Sequence, residues 1–476
     1  MVYDHRVGKE VKSVAFINKH SFLLVCLALC MNILFLYLYN PKVYFAITQA
    51  HGQIGYNFYK HNVIGMDSTL TQQMNSLMRE QRCLIDYDNI DLPQAVNYEP
   101  FPINDTVAYG LLLGFIWKIT GSLKFIDIQM LQIIIFSLLM LIYYQVAYML
   151  FGCTQIAFCC GIAQLCFFPL LAYNVMPVRD VWAYYGLLVL CYAVLSYLFK
   201  QINMLVLMSC LIFFALCQWI RPTLSCALMM MSIFLVAYAI KKNNVRALHL
   251  IGYMWLISFL LFWLPFSYYN YITYGRYMVS PAGQSLLEGL GELPNRWGHQ
   301  LNDEYVNRYI GMKYNLSYGT VAFDEAAMFE FTCCVRDDPS HYIKTLLWRL
   351  PDVFLPGLQW IFYEQSPYAA CNGMAEKLLF VFSSWQNIID FMLRHLWMRL
   401  YLICAYAGLM LLLMRKRYIA ITFILTCLIS GLSTYPSHIE YRYIVPFYWV
   451  ISLFVGFLFC GIIEKIFHYN CKVIFK

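Results

Sequence analysis

Long apolar runs alternate with short polar breaks along most of the chain. An apolar run of eighteen or more residues reads as a membrane span, because about 20 residues of helix cross a hydrocarbon core. The pattern predicts spans at 21–39, 128–151, 155–173, 182–199, 203–220, 222–240, 248–269, 397–414, 418–434 and 443–464. That is about ten transmembrane helices, within a range of roughly 10–12. The expected fold class is an all-α polytopic membrane protein, with residues 1–476 forming one integral membrane domain.

Two long stretches, 40–127 and 270–396, hold most of the acidic residues and read as large extracytoplasmic loops carrying interfacial helices. VAYGLLLGFIWKITG (107–121) is too short for a simple span and is predicted to lie on the outer surface. TLLWRLPDVFLPGLQWIFY (345–363) carries charges and two prolines; it reads as interfacial or as half of a hairpin with 377–394. Shorter outer loops are NVMPVRD (174–180) and STYPSHIEYR (433–442). No internal repeat, heptad or low-complexity tract interrupts this layout.

Composition strengthens the membrane reading. The chain is 61% hydrophobic and 12% charged, against about 25% charged in soluble domains. A soluble helix needs one apolar face only, so a single greasy core does not account for these runs. The net charge of +7 does not point to nucleic acid. Its basic residues sit in short loops: the N-terminal segment, Lys200, Lys241-Lys242-Arg246, Arg415-Lys416-Arg417, and Lys465, Lys472 and Lys476. The positive-inside rule places those loops and both termini in the cytoplasm. The first run, SFLLVCLALCMNILFLYLY, has no small-residue cleavage site and is expected to be a retained span rather than a cleaved signal.

Most of the 18 cysteines lie in apolar runs and act as small hydrophobes. Cys83, Cys333, Cys334 and Cys371 fall in the outer segments, open to disulfide formation in an oxidising compartment. No cysteine pair has zinc-site spacing. The absence of HExxH, GxGxxG, Walker A and GxSxG weakens metalloprotease, nucleotide-hydrolysis and α/β-hydrolase readings.

Ionisable groups near a bilayer are costly and mark function. Here they collect on one face: Glu99 and Asp105 in NYEPFPINDTVAYG (97–110), then Arg179 and Asp180, Arg221, Arg276, and His438, Glu440 and Arg442. Carboxylates suit proton removal from an attacking hydroxyl, and guanidinium groups suit a phosphate. Each residue also has a plainer reading. Asp105 can cap a helix starting near Val107, and Glu99 can be a solvated loop residue. Asp180 can favour a helix start. Arg221, ahead of Pro222 at the first position of the next helix, can snorkel, and Arg442 can pair with Glu440. His51 in QAHGQIGYNFYKHN reads as a loop residue.

The order of these stretches resembles the GT-C superfamily of integral membrane glycosyltransferases. The resemblance runs over about residues 40 to 450. It is carried by NYEPFPINDTVAYGLLLGFIWKITG, LAYNVMPVRDVWAYYGLLVL, ALCQWIRPTL, NYITYGRYMVSPAGQSLLEGLGELPNRWG, RDDPSHYIKTLLWRL and EYRYIVPFYWV. It implies a polyprenyl-phosphate-linked sugar donor in the membrane lipid, an outward-facing site, and a glycan, lipid or protein acceptor. The catalytic candidates are then Asp105, Glu99 and Asp180, and the donor-phosphate candidates are Arg179, Arg221 and Arg442. A divalent metal, with Asp180 as a helper, is possible; its site is unknown. One departure stands out. Relatives carry an Asp soon after the first span, in a stretch like Asp-Gly-x-x-Tyr. This chain reads His51-Gly52-Gln53-Ile54-Gly55-Tyr56. Either the base is another carboxylate (Asp105, Glu99 or Asp67), or the register is shifted, or the activity is altered. The alternatives are an O-antigen polymerase or ligase, and a non-enzymatic lipid-linked glycan flippase or transporter. The cell setting expected is a bacterial inner membrane.

Overall fold

The computed structural model describes residues 18–39, 46–65, 86–89, 105–277, 282–316, 320–354, 392–437 and 441–467. Among them the regular structure is helical, with no strand. Helices α1 (Lys19–Tyr39), α2 (Ala46–His61), α3 (Asp105–Thr120) and α4 (Ile126–Phe151) come first. α5 (Thr154–Leu165), α6 (Phe168–Val175), α7 (Val181–Leu198), α8 (Met204–Ile220) and α9 (Leu224–Lys242) follow. α10 (Val245–Ser258) continues through a π segment, Phe259–Trp263, into α11 (Leu264–Tyr274).

Six helical stretches are long and apolar enough to cross a membrane, or seven if the bent pair α5–α6 is one span. The molecule is a helical membrane protein. α8, α16 (Met398–Met414) and α17 (Tyr418–Ser430) are apolar but shorter. Leu205, Ile212 and Leu216 of α8 point outward into what is greasy surface, as do Ile233, Val236 and Ile240 of α9. Helices apolar on all sides belong in lipid or in a protein interior, and this bundle has both kinds. α7 is the interior kind, buried along nearly its whole length.

Connections inside the bundle are short, so successive helices run antiparallel and the turns fall at two opposite ends. Lys200, Lys241, Lys242, Arg415, Lys416 and Arg417 lie in or beside the turns α7–α8, α9–α10 and α16–α17, all at one end. The turns α6–α7 and α8–α9 lie at the other end and carry Arg179, Asp180 and Arg221.

The structure corrects several expectations. The run 155–173 is not one straight helix: α5 and α6 meet at 59°. Carbonyls at the break meet α16 and the π segment Met392–Trp397 that leads into it. Tyr401 Oη donates to Ala163 O at 3.0 Å, and Trp397 Nε1 donates to Cys166 O at 2.9 Å. Pro222 does not start a helix; it occupies the turn before α9, which begins at Leu224. The last run, by contrast, holds as one candidate span over Ile444–Glu464, with a turn at 449–450 between α18 (Tyr441–Tyr448) and α19 (Ile451–Phe467).

α2 lies in a stretch that reads as loop in the sequence. It packs along α3 over most of its length, and glycines make this possible. A Cβ on Gly114 would sit 2.5 Å from the carbonyl oxygen of Gly55, and one on Gly110 would sit 2.7 Å from the Ile54 side chain. Small residues four apart let two helix backbones touch. The helix expected at 107–121 is therefore paired rather than lone, and it begins at Asp105.

Residues 282–354 fold into a small helical unit with its own core. Its helices are α12 (Ala282–Gly289), α13 (Asp303–Tyr314), α14 (Val321–Asp337) and α15 (Pro339–Phe354). Leu287, Leu290, Val306, Ile310, Phe323 and Ala327 fill that core. Of 345–363, residues up to 354 belong to α15; the remainder lies outside the described residues, as do Cys83 and Cys371. Cys333 and Cys334 carry free thiols, so neither forms the disulfide considered from sequence.

Candidate functional site

The polar residues at the end of the bundle carrying Arg179, Asp180 and Arg221 are held by a buried hydrogen-bond network. Asn174 Nδ2 donates to Asn32 Oδ1 at 2.7 Å, tying α6 to α1. Tyr185 of α7 donates to Asn174 Oδ1 and, at 3.0 Å, to Gln132 O. Gln132 Nε2 donates to the carbonyls of Asn174 (2.9 Å) and Met176 (2.7 Å), while Gln129 Nε2 donates to Val175 O at 2.7 Å. Two glutamines of α4 thus satisfy the last carbonyls of α6, which helix geometry leaves without partners inside the helix. The turn leading to Arg179 and Asp180 is fixed by this contact.

Asp180 stands at the N-terminus of α7. It is the helix-start acid of the plainer reading, although its carboxylate makes no capping hydrogen bond. It faces Arg221 instead. Asp180 Oδ1 lies 3.2 Å from Arg221 Nη2, and both side chains are at least 95% buried. The distance makes an ion pair, yet Oδ1 receives no aligned hydrogen bond. Arg221 ends α8, its backbone N–H donating to Cys217 O at 2.8 Å. Arg179 is buried beside them in sequence. Asp180 and the Arg221 guanidinium thus form a buried charge pair at the start of a helix, a setting that favours anions.

The α2–α3 pair reaches the same site. His51 is wholly buried in α2, not a loop residue. Its ring meets Tyr109 of α3 edge-on, with centroids 4.8 Å apart. Tyr109 Oη donates to Gln132 Oε1 at 2.7 Å, and Tyr109 is near enough to Asp180 to feel its charge. His51, Tyr109, Gln132 and Asn174 were not chosen as site residues from sequence. Period and hydropathy give no mark to a lone polar residue in an apolar helix; the one signal available was the Gly-x-x-Tyr after His51.

The other candidates divide. Asp105 is the first residue of α3, which brings its backbone to the neighbourhood of Val107, Ile54 and Phe266; its side chain lies outside the described residues. Arg442 is in α18, which packs on α6 and α7 near Asp180, but its side chain is likewise outside them. Glu99, Asp67, His438 and Glu440 fall wholly outside. Arg276 is not part of the cluster; it pairs with Glu325 on the exposed face of α14.

A divalent metal finds little to hold it here. Among the described residues no three His, Cys, Asp or Glu side chains converge, and Asp180 already faces a guanidinium. No step is therefore routed through a metal. Comparison with known proteins adds no assignment: no protein-family model matches the chain, and no curated protein matches it.

Proposed function

We propose that this protein is a membrane glycosyltransferase that takes a sugar from a polyprenyl-phosphate donor and passes it to a glycan, lipid or protein hydroxyl at the outer face of a bacterial inner membrane. The observation that carries the reading is the buried Asp180–Arg221 pair with Arg179 beside it. Guanidinium groups buried at one end of a membrane bundle suit a phosphate, and a lipid phosphate reaches such a site from the bilayer. Arg221 and Arg179 hold the phosphate, and Arg442, in α18, is the third candidate for it. A first-loop carboxylate, Asp105 or Glu99, takes the acceptor proton. The pairing of α2 with α3 directly after the first helix, and the separate helical unit at 282–354, agree with the GT-C resemblance. On this reading the ten predicted spans are the six long helices, the bent pair and, of the shorter apolar helices, α8, α16 and α17. The end rich in Lys and Arg then faces the cytoplasm along with both termini.

The broken helix α5–α6 favours a second reading, a lipid-linked glycan transporter, because broken helices line many transport sites. Against it, the carbonyls at the break, of Ala163 and Cys166, already accept from Tyr401 and Trp397. The charges also sit at one end rather than midway.

The test uses purified full-length protein in nanodiscs, supplied with a panel of polyprenyl-phosphate sugars and membrane extract as acceptor source. Release of free polyprenyl phosphate from one donor, abolished in Arg221→Gln, supports the transferase. Saturable donor binding with no release and no labelled acceptor supports the transporter instead.

A further inference from the structure

Asn270 is the one wholly buried amide among the described residues with neither its Nδ2 nor its Oδ1 hydrogen-bonded. An unsatisfied buried amide costs free energy at both atoms. Its position shows what it could serve. α8 and α11 run in the same direction through the bundle. Near their ends the Trp219 ring meets Phe262 and Phe266, with centroids 5.9 and 6.5 Å apart. Phe266 also packs with Ile54 of α2 and Val107 of α3. Asn270 follows Phe266 by four residues, on the same helix face and about 6 Å further along the axis. That step carries it past Trp219 to the level of Arg221 and Thr223. Thr223 Oγ is a second buried polar atom there with no hydrogen bond. α2, α3, α8 and α11 thus converge at the end of α8 where Arg221 stands.

We propose that Asn270 contacts the sugar of the donor, as a specificity-determining residue of the site described above; the inference rests on the transferase reading. The chemistry favours a sugar over the phosphate for this residue. A phosphate offers acceptors and would satisfy only the Nδ2 donor. A sugar hydroxyl both donates and accepts, so neighbouring hydroxyls satisfy Nδ2 and Oδ1 together. The division of labour is then spatial: guanidinium groups hold the phosphate, and the amide one helix away reads the sugar. An amide that stays unpaired until its ligand arrives discriminates strongly, because a ligand without the hydroxyl leaves it unpaired.

The test compares two probes, polyprenyl phosphate and polyprenyl-phosphate hexoses, on purified full-length protein in nanodiscs. The variants are Asn270→Leu, Asn270→Ala and Arg221→Gln, each also followed by thermal unfolding. The expected result is that Asn270→Leu melts no lower than wild type, binds the best hexose donor at least tenfold more weakly, and binds sugar-free polyprenyl phosphate unchanged. Arg221→Gln should weaken both probes. Asn270→Ala should repeat the selective loss if Leu fails to fold. The inference is overturned if the Asn270 variants weaken both probes equally or neither, while Arg221→Gln still weakens both. It is overturned also if loss of hexose binding tracks a lower melting temperature, which would make the amide structural. Failure of wild type to bind either probe sinks the inference and the transferase reading together.

Discussion

Asp180 and Arg221 meet at 3.2 Å across the α7–α8 interface, almost fully buried and without an aligned hydrogen bond between them. They come from two turns at the same end of the bundle, 41 positions apart in sequence by subtraction of their numbers. Removing one partner takes this counter-charge from the other. Asp180→Asn or Arg221→Gln should each destabilise the protein by roughly 3–5 kcal/mol, read as thermal unfolding in detergent. The double variant should recover part of that loss, since the cycle removes both charges. Single variants as stable as wild type would mean that the charges are solvated after all.

The contact of α2 with α3 depends on bare backbone at Gly55 and Gly114. Gly114→Ala places a methyl 2.5 Å from the Gly55 carbonyl oxygen. Overpacking of this kind costs about 1–3 kcal/mol. The expected consequence is displacement of His51 from Tyr109, seen as lower stability and reduced donor binding. Gly121→Ala makes a contrasting control of different origin: no atom crowds it, but its φ of +71° strains any side chain, so it should perturb the turn and spare the helix pair.

Arg349 joins two segments distant in sequence. It is buried and donates to Glu292 Oε2 (2.8 Å), Gly289 O (2.9 Å), Tyr435 O (2.7 Å) and Pro436 O (3.0 Å). Arg349→Met leaves the largely buried Glu292 carboxylate and the Gly289 and Tyr435 carbonyls without it, while Pro436 O keeps Tyr342 Oη, a loss of about 3–5 kcal/mol. Arg349→Lys should rescue little, because an ammonium lacks the planar fork that reaches several acceptors. Limited proteolysis within 282–354 should accelerate in both variants.

The 282–354 unit should weaken on acidification in two stages. Burial holds His299 below its ordinary value, so the unfolded chain protonates first. Its stabilising contribution is complete above pH 6.5 and falls as the pH drops toward the lowered folded value. Burial raises Glu330, but hydrogen bonds from Lys313, Tyr314 and Tyr309 more than offset that and hold it below 4.5. Its contribution is present above 4.5 and is lost as pH falls through the folded value. Asp324, raised by burial, acts in the opposite sense above 3.8. A His299→Phe variant should lose the first stage and Glu330→Gln the second, followed by proteolysis across pH 3.5 to 7, a span set by these values. An unchanged profile in His299→Phe would remove His299 as the source.

Cys333 is exposed on α14, whereas its neighbour Cys334 is buried against His299 at 3.5 Å and its thiol is pushed up to about 11, first by burial. A membrane-impermeant maleimide added to intact cells should therefore label Cys333 and spare Cys334, and Cys333→Ser should abolish labelling at this pair. Labelling that appears only after the membrane is broken would place the 282–354 unit in the cytoplasm and reverse the proposed orientation.

The sequence by itself determined that this is a helical membrane protein. Hydropathy is a local sum, and lipid demands it all around a helix, so runs such as 128–151 and 182–199 announced α4 and α7 within a few residues. The grouping of Lys and Arg in alternate turns was equally legible. It also singled out Arg179, Asp180 and Arg221, because charges beside apolar runs are rare. What pairs with what was decided by tertiary structure. Nothing local says that Asp180 turns from its own helix start to Arg221, that His51 is buried against Tyr109, or that Asn270 has no partner. α2 escaped detection because its apolar face is narrow and it is stabilised by α3, and Gly55 and Gly114 signal that contact only once the two backbones lie together. Span hydrophobicity is a property of one segment; a site is made where several segments end, and only packing brings those ends together.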